Sequence, residues 1–190
     1  MNELIKDLGL LINATLIATP PLLLAALGSC FSERSGVVNI GIEGMMTIGA
    51  FTGAVMGLTT GNGWIAFFCA GLAGALFGLI HAFACISCHA DQTIAGTAIN
   101  FLGPGLALFL CKAMYNNSSD TPAMDPSCKL PKLFEGVFPT GSFWHNVLNV
   151  YAVAYLVFVL AFICWFVFYK TRFGAHLRAV GEHPEACESL

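Results

Sequence analysis

Residues 32–44 read Ser32-Glu33-Arg34-Ser35-Gly36-Val37-Val38-Asn39-Ile40-Gly41-Ile42-Glu43-Gly44. Three ionisable residues and an asparagine stand here between two long apolar runs. A charged side chain within a bilayer is costly, so at membrane depth it marks a pathway or a pore by default. Gly28, Gly36, Gly41 and Gly44, in or beside the stretch, predict backbone that is not plain helix. Such backbone is tolerated at membrane depth only where protein or a water-filled cavity surrounds it.

The chain around this polar island is 57% hydrophobic and 10% charged. Soluble domains carry roughly 25% charged residues, and the deficit here runs along the whole chain, which makes it an integral membrane protein. Its net charge of −3 comes with no basic cluster to neutralise phosphates, so nucleic acid is not an expected partner. Of eight cysteines, Cys30, Cys69, Cys85, Cys111 and Cys164 fall in or at the ends of apolar runs, where cysteine acts as a small hydrophobe. Only Cys128 lies in a clearly polar loop, and no disulfides are expected.

The spans lie in the gaps between charges: 8–32, 44–90, 92–111 and 136–169, the second divided by the turn Gly61-Asn62-Gly63. A helix needs about 20 apolar residues to cross the hydrocarbon core. The gaps predict an all-α, polytopic transmembrane helix bundle of about five apolar helices, over 8–30, 44–60, 64–87, 93–113 and 147–169. Pro20-Pro21 predicts a kink or interruption in the first helix and Gly103-Pro104-Gly105 another in the fourth. Lys170, Arg172 and Arg178 put the end of the last helix on the cytoplasmic side by the positive-inside rule. Counting back, Tyr115–Asn146 is outside, Ser87–Thr93 inside and Ser32–Glu43 near the inside. A literal count of five helices puts the N-terminus outside. A broken or re-entrant Gly28–Gly44 would put it inside.

Gly49, Gly53 and Gly57 repeat every four residues, as do Ala70, Gly74 and Gly78. Each stripe lets another helix approach closely; internal bundle packing is the plain reading and a dimer seam the alternative. The irregular outer loop holds Asn116-Asn117-Ser118-Ser119-Asp120 and Pro122, Pro126, Pro131 and Pro139. It reads as a solvated connector, with contact to a delivery protein as the alternative. Its Lys129 and Lys132 are outnumbered by Asp120, Asp125 and Glu135.

Cys85-Ile86-Ser87-Cys88-His89 matches the pattern of covalent haem attachment. It stands at the cytoplasmic end of a helix, whereas such haem is attached on the outer side, and zinc would need a fourth ligand that nothing is spaced to supply. No cofactor or metal is therefore expected. Leu27-Gly28-Ser29-Cys30 is similar to a lipoprotein cleavage box, but the apolar run before it is too long for a signal peptide, and Cys30 reads as a small packing residue. His81, inside the third helix, either lines a pathway or bonds to a neighbouring helix. No nucleophile–base pair can be assembled, so the chain does not read as an enzyme. Without G-x-x-x-x-G-K-[ST] it does not bind ATP by that route, and any energy from ATP comes from a partner.

In the tail, Gly181-Glu182-His183-Pro184-Glu185-Ala186-Cys187-Glu188, Pro184 suits the first turn of a helix and Glu185 and Glu188 favour its positive end. Small Ala186 and Cys187 would let that helix lie close to another surface; a solvated amphipathic tail is the alternative.

Phe31 through Met46 resembles the signature segment of ABC-importer permeases of the nucleoside and simple-sugar group, related to ribose and branched-chain amino-acid permeases. Pro20 through Gly28, His81-Ala82-Phe83, Thr171-Arg172-Phe173-Gly174 and Arg178 through Ala186 resemble the same group. The wording of the segment favours the nucleoside branch. The resemblance implies a multi-pass permease of a bacterial plasma membrane that translocates a small-molecule solute by alternating access. Its implied partners are cytoplasmic ATP-binding subunits, a second permease subunit and an extracytoplasmic solute-binding protein. It implies that Glu33, Asn39 and Glu43 lie nearest the solute pathway. It also implies that the cytoplasmic segment 170–190 couples to the ATPase through Gly181, Pro184, Glu185 and Ala186. Cys187 stands where the family usually has alanine. Family members continue into further membrane helices, so residues 1–190 are expected to form the N-terminal portion of one transmembrane domain. The alternatives are a permease for a simple sugar or vitamin, a haem-bearing membrane anchor built on Cys85, Cys88 and His89, and a non-functional truncation product.

Overall fold

A computed structural model of the protein describes residues 2–125, 128–134, 139 and 143–188, with side chains for all of these except 2, 3, 6, 186 and 188. The elements are helices: α1 (Asn2–Arg34), α2 (Ile42–Thr60), α3 (Gly63–Ala82), α4 (Gln92–Met114), the short α5 (Phe143–Leu148), α6 (Ala152–Lys170), α7 (Arg172–Glu182) and α8 (Pro184–Glu188). Phe83–Ser87 adds one wide π turn to the end of α3. Among the described residues, β pairing is limited to one isolated bridge, Lys132 to Tyr151. Five helical segments are long and apolar enough to cross a membrane: Asp7–Arg34, Ile42–Thr60, Gly63–Ser87, Gln92–Met114 and Ala152–Lys170. None of the eight cysteines is joined in a disulfide.

Neither proline site interrupts its helix: Pro20 and Pro21 lie inside α1 and Pro104 inside α4. The pyrrolidine ring already holds φ near the helical value. In an apolar medium, leaving the helix would strand far more backbone polar groups than the one N–H lost at each proline. The non-helical backbone of the polar island is confined to residues 35–41, with Gly28 inside α1 and Gly44 inside α2. The last span starts at Ala152 rather than 147, because the loop between α4 and α5 takes over its first turn. The Ala152 N–H donates to the Pro131 carbonyl at 3.0 Å, and Tyr151 pairs with Lys132.

The chain divides into two compact units, Met1–Leu27 with Leu130–Ala175, and Gly28–Lys129 with His176–Leu190. In the first, the beginning of α1 meets α5: a Cβ on Gly9 would lie 3.2 Å from Asn146 Cβ, and Asn13 Nδ2 donates to the Asn149 carbonyl at 3.4 Å. Tyr155 donates its hydroxyl to the Leu148 carbonyl at 2.8 Å and stacks edge-on against Phe134. The loop between α4 and α5 is therefore folded onto the start of α6 at this point. Glu135 and Pro126 lie outside the described residues.

In the second unit, Ile48, Phe77, Ile99 and Ala107 form the buried centre, with Met45, Phe51 and Leu106 against it. The α2–α3 turn forms as its residues dictate: Gly61 takes φ 65° and closes α2 onto the Gly57 carbonyl, and Asn62 caps α3 by accepting from Trp64 N–H at 2.9 Å. The glycine stripe on α2 packs internally. A Cβ on Gly49 would lie 3.1 Å from the Ala70 carbonyl oxygen and one on Gly53 3.1 Å from Ala70 Cβ. On α3 the facing stripe is Ala66, Ala70 and Gly74, whereas Gly78 looks into open space.

Candidate functional site

The connector between α1 and α2, residues 35–41, has no helix of its own, so its backbone groups need other partners. Local side chains supply two. Ser32 Oγ donates to the Val37 carbonyl at 2.6 Å, and Asn39 Oδ1 accepts from the Gly41 N–H at 3.0 Å. The end of α1 accepts from the Gly36 and Val37 N–H groups through the Glu33 and Ser32 carbonyls, each at 3.1 Å, and further partners come from α3 and α4. Gln92 Oε1 accepts from the Val38 N–H at 2.7 Å. Asn100 Nδ2 donates to the Ile40 carbonyl at 2.9 Å, and Asn100 Oδ1 accepts from the Gly44 N–H at 2.8 Å. Gly41 precedes α2 and has no side chain to cap it; Asn100 supplies that cap from another helix, satisfying a donor that helix starts leave open.

His81 is 2% exposed and sits 3.4 Å from the Val38 carbonyl and 3.8 Å, through Nδ1, from Cys85 Sγ. With its proton on Nε2 the ring donates to the Val38 carbonyl, a tautomer inferred from the bonding, while the Cys85 sulfur lies nearly equidistant from the two ring nitrogens, 3.7 Å from Nε2 and 3.8 Å from Nδ1. His81 is therefore buried and bonded to the connector and to its own helix. Cys88 is exposed and His89 takes φ 51° beyond the π turn. Among the described residues no three His, Cys, Asp or Glu side chains gather as a metal site.

Close backbone approach holds this frame together. A Cβ on Gly44 would overlap the Ile99 carbonyl, and one on Gly103 would overlap the Gly44 carbonyl; one on Gly96 would lie 3.0 Å from the Gly41 nitrogen. Gly96, Asn100, Gly103, Ala107 and Cys111 recur at intervals of three and four along α4. Their stripe was the available signal for this partner of the island, and it is missed when only repeats of one small residue every four positions are sought.

Of the residues singled out for the solute pathway, Asn39 is half-buried in the connector, while Glu33 near the end of α1 and Glu43 in the first turn of α2 are exposed. Glu33 accepts from Ser29 Oγ at 3.0 Å, and no hydrogen bond or ion pair joins these three to one another. Glu43 stands where a helix start favours negative charge. In the tail, α8 begins at Pro184, with Glu185 in its first turn, and the His183 carbonyl accepts from the Cys187 N–H at 3.3 Å. Ala186 is helical, and its side chain lies outside the described residues. Gly181 is not beside the rest of its set alone. A Cβ on Gly181 would overlap the Arg34 carbonyl and lie 3.2 Å from the Gly36 nitrogen, and Gly36 itself takes φ +88°. The tail therefore seats on the polar island, a contact that spacing along the chain does not reveal.

Comparison with known proteins places the chain in a family. The chain is 44% identical to the guanosine ABC transporter permease protein NupQ of Bacillus subtilis, over 99% of this chain and 60% of that one. It is 34% identical to the nucleoside ABC transporter permease protein NupC of Lactococcus lactis, over 99% of this chain and 61% of that one. A putative glucose ABC transporter permease protein of Haloferax volcanii is 35% identical over 95% of this chain and 54% of its own length. The chain thus spans a little over half the length of these relatives. No solved structure gives a significant match. The family model described as the permease component of branched-chain amino acid transport systems matches residues 11–190, so this multi-pass membrane protein belongs to that family of transport permeases.

Proposed function

We propose that the chain is part of the membrane-spanning permease of an ATP-driven importer of nucleosides in a bacterial plasma membrane. The observation that carries this reading is the 44% identity to a guanosine permease across 99% of the chain, supported by the nucleoside permease at 34%. Cytoplasmic ATP-binding subunits supply energy, a second permease subunit completes the pathway, and an extracytoplasmic solute-binding protein delivers solute. Glu33, Asn39 and Glu43 lie nearest the solute path, which opens alternately to the two sides. The tail after Lys170 is cytoplasmic, consistent with Lys170, Arg172 and Arg178 beside the last span, and its Gly181, Pro184, Glu185 and Ala186 couple to the ATPase. The relative named as a putative glucose permease, at 35%, makes a sugar the second reading.

Uptake of labelled guanosine in cells carrying the gene with its transport partners, compared with a deletion of the gene, tests the proposal. Uptake is expected to fall on deletion and return on complementation. Unchanged uptake, or uptake competed by unlabelled glucose but not by unlabelled nucleosides, overturns the nucleoside reading.

A further inference from the structure

We infer that Gly181 and Gly36 form a backbone relay that carries movement of the α7–α8 tail into the connector 35–41; the inference rests on the proposed coupling of the tail to an ATPase. Gly181 lies near the end of α7. A Cβ there would overlap the Arg34 carbonyl and come within 3.0 Å of the Arg34 carbonyl carbon, and one on Gly36 would lie 3.4 Å from the Gly181 Cα. Two glycines thus let main chain touch main chain. A contact of this kind has no rotamers in which to absorb a displacement, unlike one made through long side chains. The same Gly36 needs φ +88°, a conformation side chains disfavour, so both positions are set by backbone geometry.

What lies beyond the contact is suited to receive motion. The connector holds no helical bonds of its own between Ser35 and Gly41. Its Val38 and Ile40 backbone groups are gripped by His81 on α3 and by Gln92 and Asn100 on α4. A push on Arg34–Gly36 therefore reaches, within a few residues, the bonds that seat the start of α2, and it passes Asn39 on the way. Gly36 and Gly181 are positioning residues: neither needs to touch solute.

The test uses the whole transporter, this chain with its native ATP-binding subunits, second permease and solute-binding protein, in proteoliposomes. Guanosine uptake and ATP hydrolysis are measured together. Coupling between distant sites is commonly worth 5–150-fold, so Gly181→Ala is expected to lower uptake per ATP hydrolysed by about tenfold while ATP hydrolysis continues. Gly78→Ala, which meets open space, should leave that ratio unchanged. An unchanged ratio in Gly181→Ala overturns the relay, and ATP-driven hydrolysis by the unsubstituted complex without guanosine uptake overturns the nucleoside reading alone. If Gly181→Ala does not assemble, or guanosine is not the solute, spin labels on Ser35→Cys and Glu185→Cys in a cysteine-free background decide. ATP should change the distance from Glu185→Cys to Thr59→Cys but not the distance from Glu185→Cys to Ser35→Cys. A change in the latter overturns the relay.

Discussion

Gly103 and Gly105 flank Pro104 on one helix and should respond to alanine in opposite directions. At Gly103 the added methyl would land on the Gly44 carbonyl and Cα, main-chain atoms that cannot rotate away. Overpacking of this sort costs about 1–3 kcal/mol, and the upper half of that range applies because helix α2 as a whole must back off. Alanine also returns about 0.5–1 kcal/mol of helix propensity. The net expectation for Gly103→Ala is a loss of about 2 kcal/mol, or roughly 4–8 °C in Tm at 2–4 °C per kcal/mol. At Gly105 nothing lies within 4 Å, so only the propensity remains and Gly105→Ala should be neutral or stabilise by up to about 1 kcal/mol. The assay is built into the same helix. Cys111 is 3% exposed, so with the other seven cysteines replaced by serine the temperature at which it reacts with a thiol-specific dye in detergent reports the opening of α4. Equal melting temperatures for the two variants would refute the close α2–α4 crossing, whatever the cause of any common shift.

Asn100→Leu should cost about 2 kcal/mol, since it removes a helix cap and strands both the Gly44 N–H and the Ile40 carbonyl. Asn100→Asp keeps the acceptor and should recover part of the loss in the same thiol-reactivity melt. Asp91 caps α4 by accepting from the Thr93 and Ile94 N–H groups, each at 2.9 Å. Asp91→Ala should therefore lower stability by about 0.5–2 kcal/mol and Asp91→Asn by much less. A full-size loss in Asp91→Asn would mean that charge, not the acceptor oxygen, matters there.

The five spans could be read from the chain because hydropathy and charge are properties of consecutive residues. The gaps 44–90 and 92–111 give α2, α3 and α4 to within about two residues at most ends, a normal margin for helix termini. The Gly61-Asn62-Gly63 turn could be read for the same reason, since αL glycine and an asparagine cap are local chemistry. Where a distant segment intervenes, local reading slips. The apolar run starting at 147 looks continuous with α6, yet the Pro131 carbonyl and Lys132 hold the Asn149–Tyr151 backbone out of the helix. The prolines of α1 and α4 leave their helices uninterrupted, because the apolar medium raises the cost of breaking a helix above the cost of one absent donor.

The candidate site divides along the same line. By itself the sequence determined that Ser32–Gly44 is a polar, glycine-bearing island where two spans meet, and that Pro184 starts a short helix in the tail. Composition and local backbone preference suffice for both. Only the tertiary structure decided what the island is attached to. Val38 meets Gln92 and His81, Ile40 and Gly44 share Asn100, and Gly36 meets Gly181, all across more than forty residues of chain. These contacts depend on unpaired backbone groups of one segment meeting side chains or bare backbone of another. Which segments meet is set by how the helices pack; the small-residue stripe on α4 marks a face that can be approached closely, not which segment approaches it.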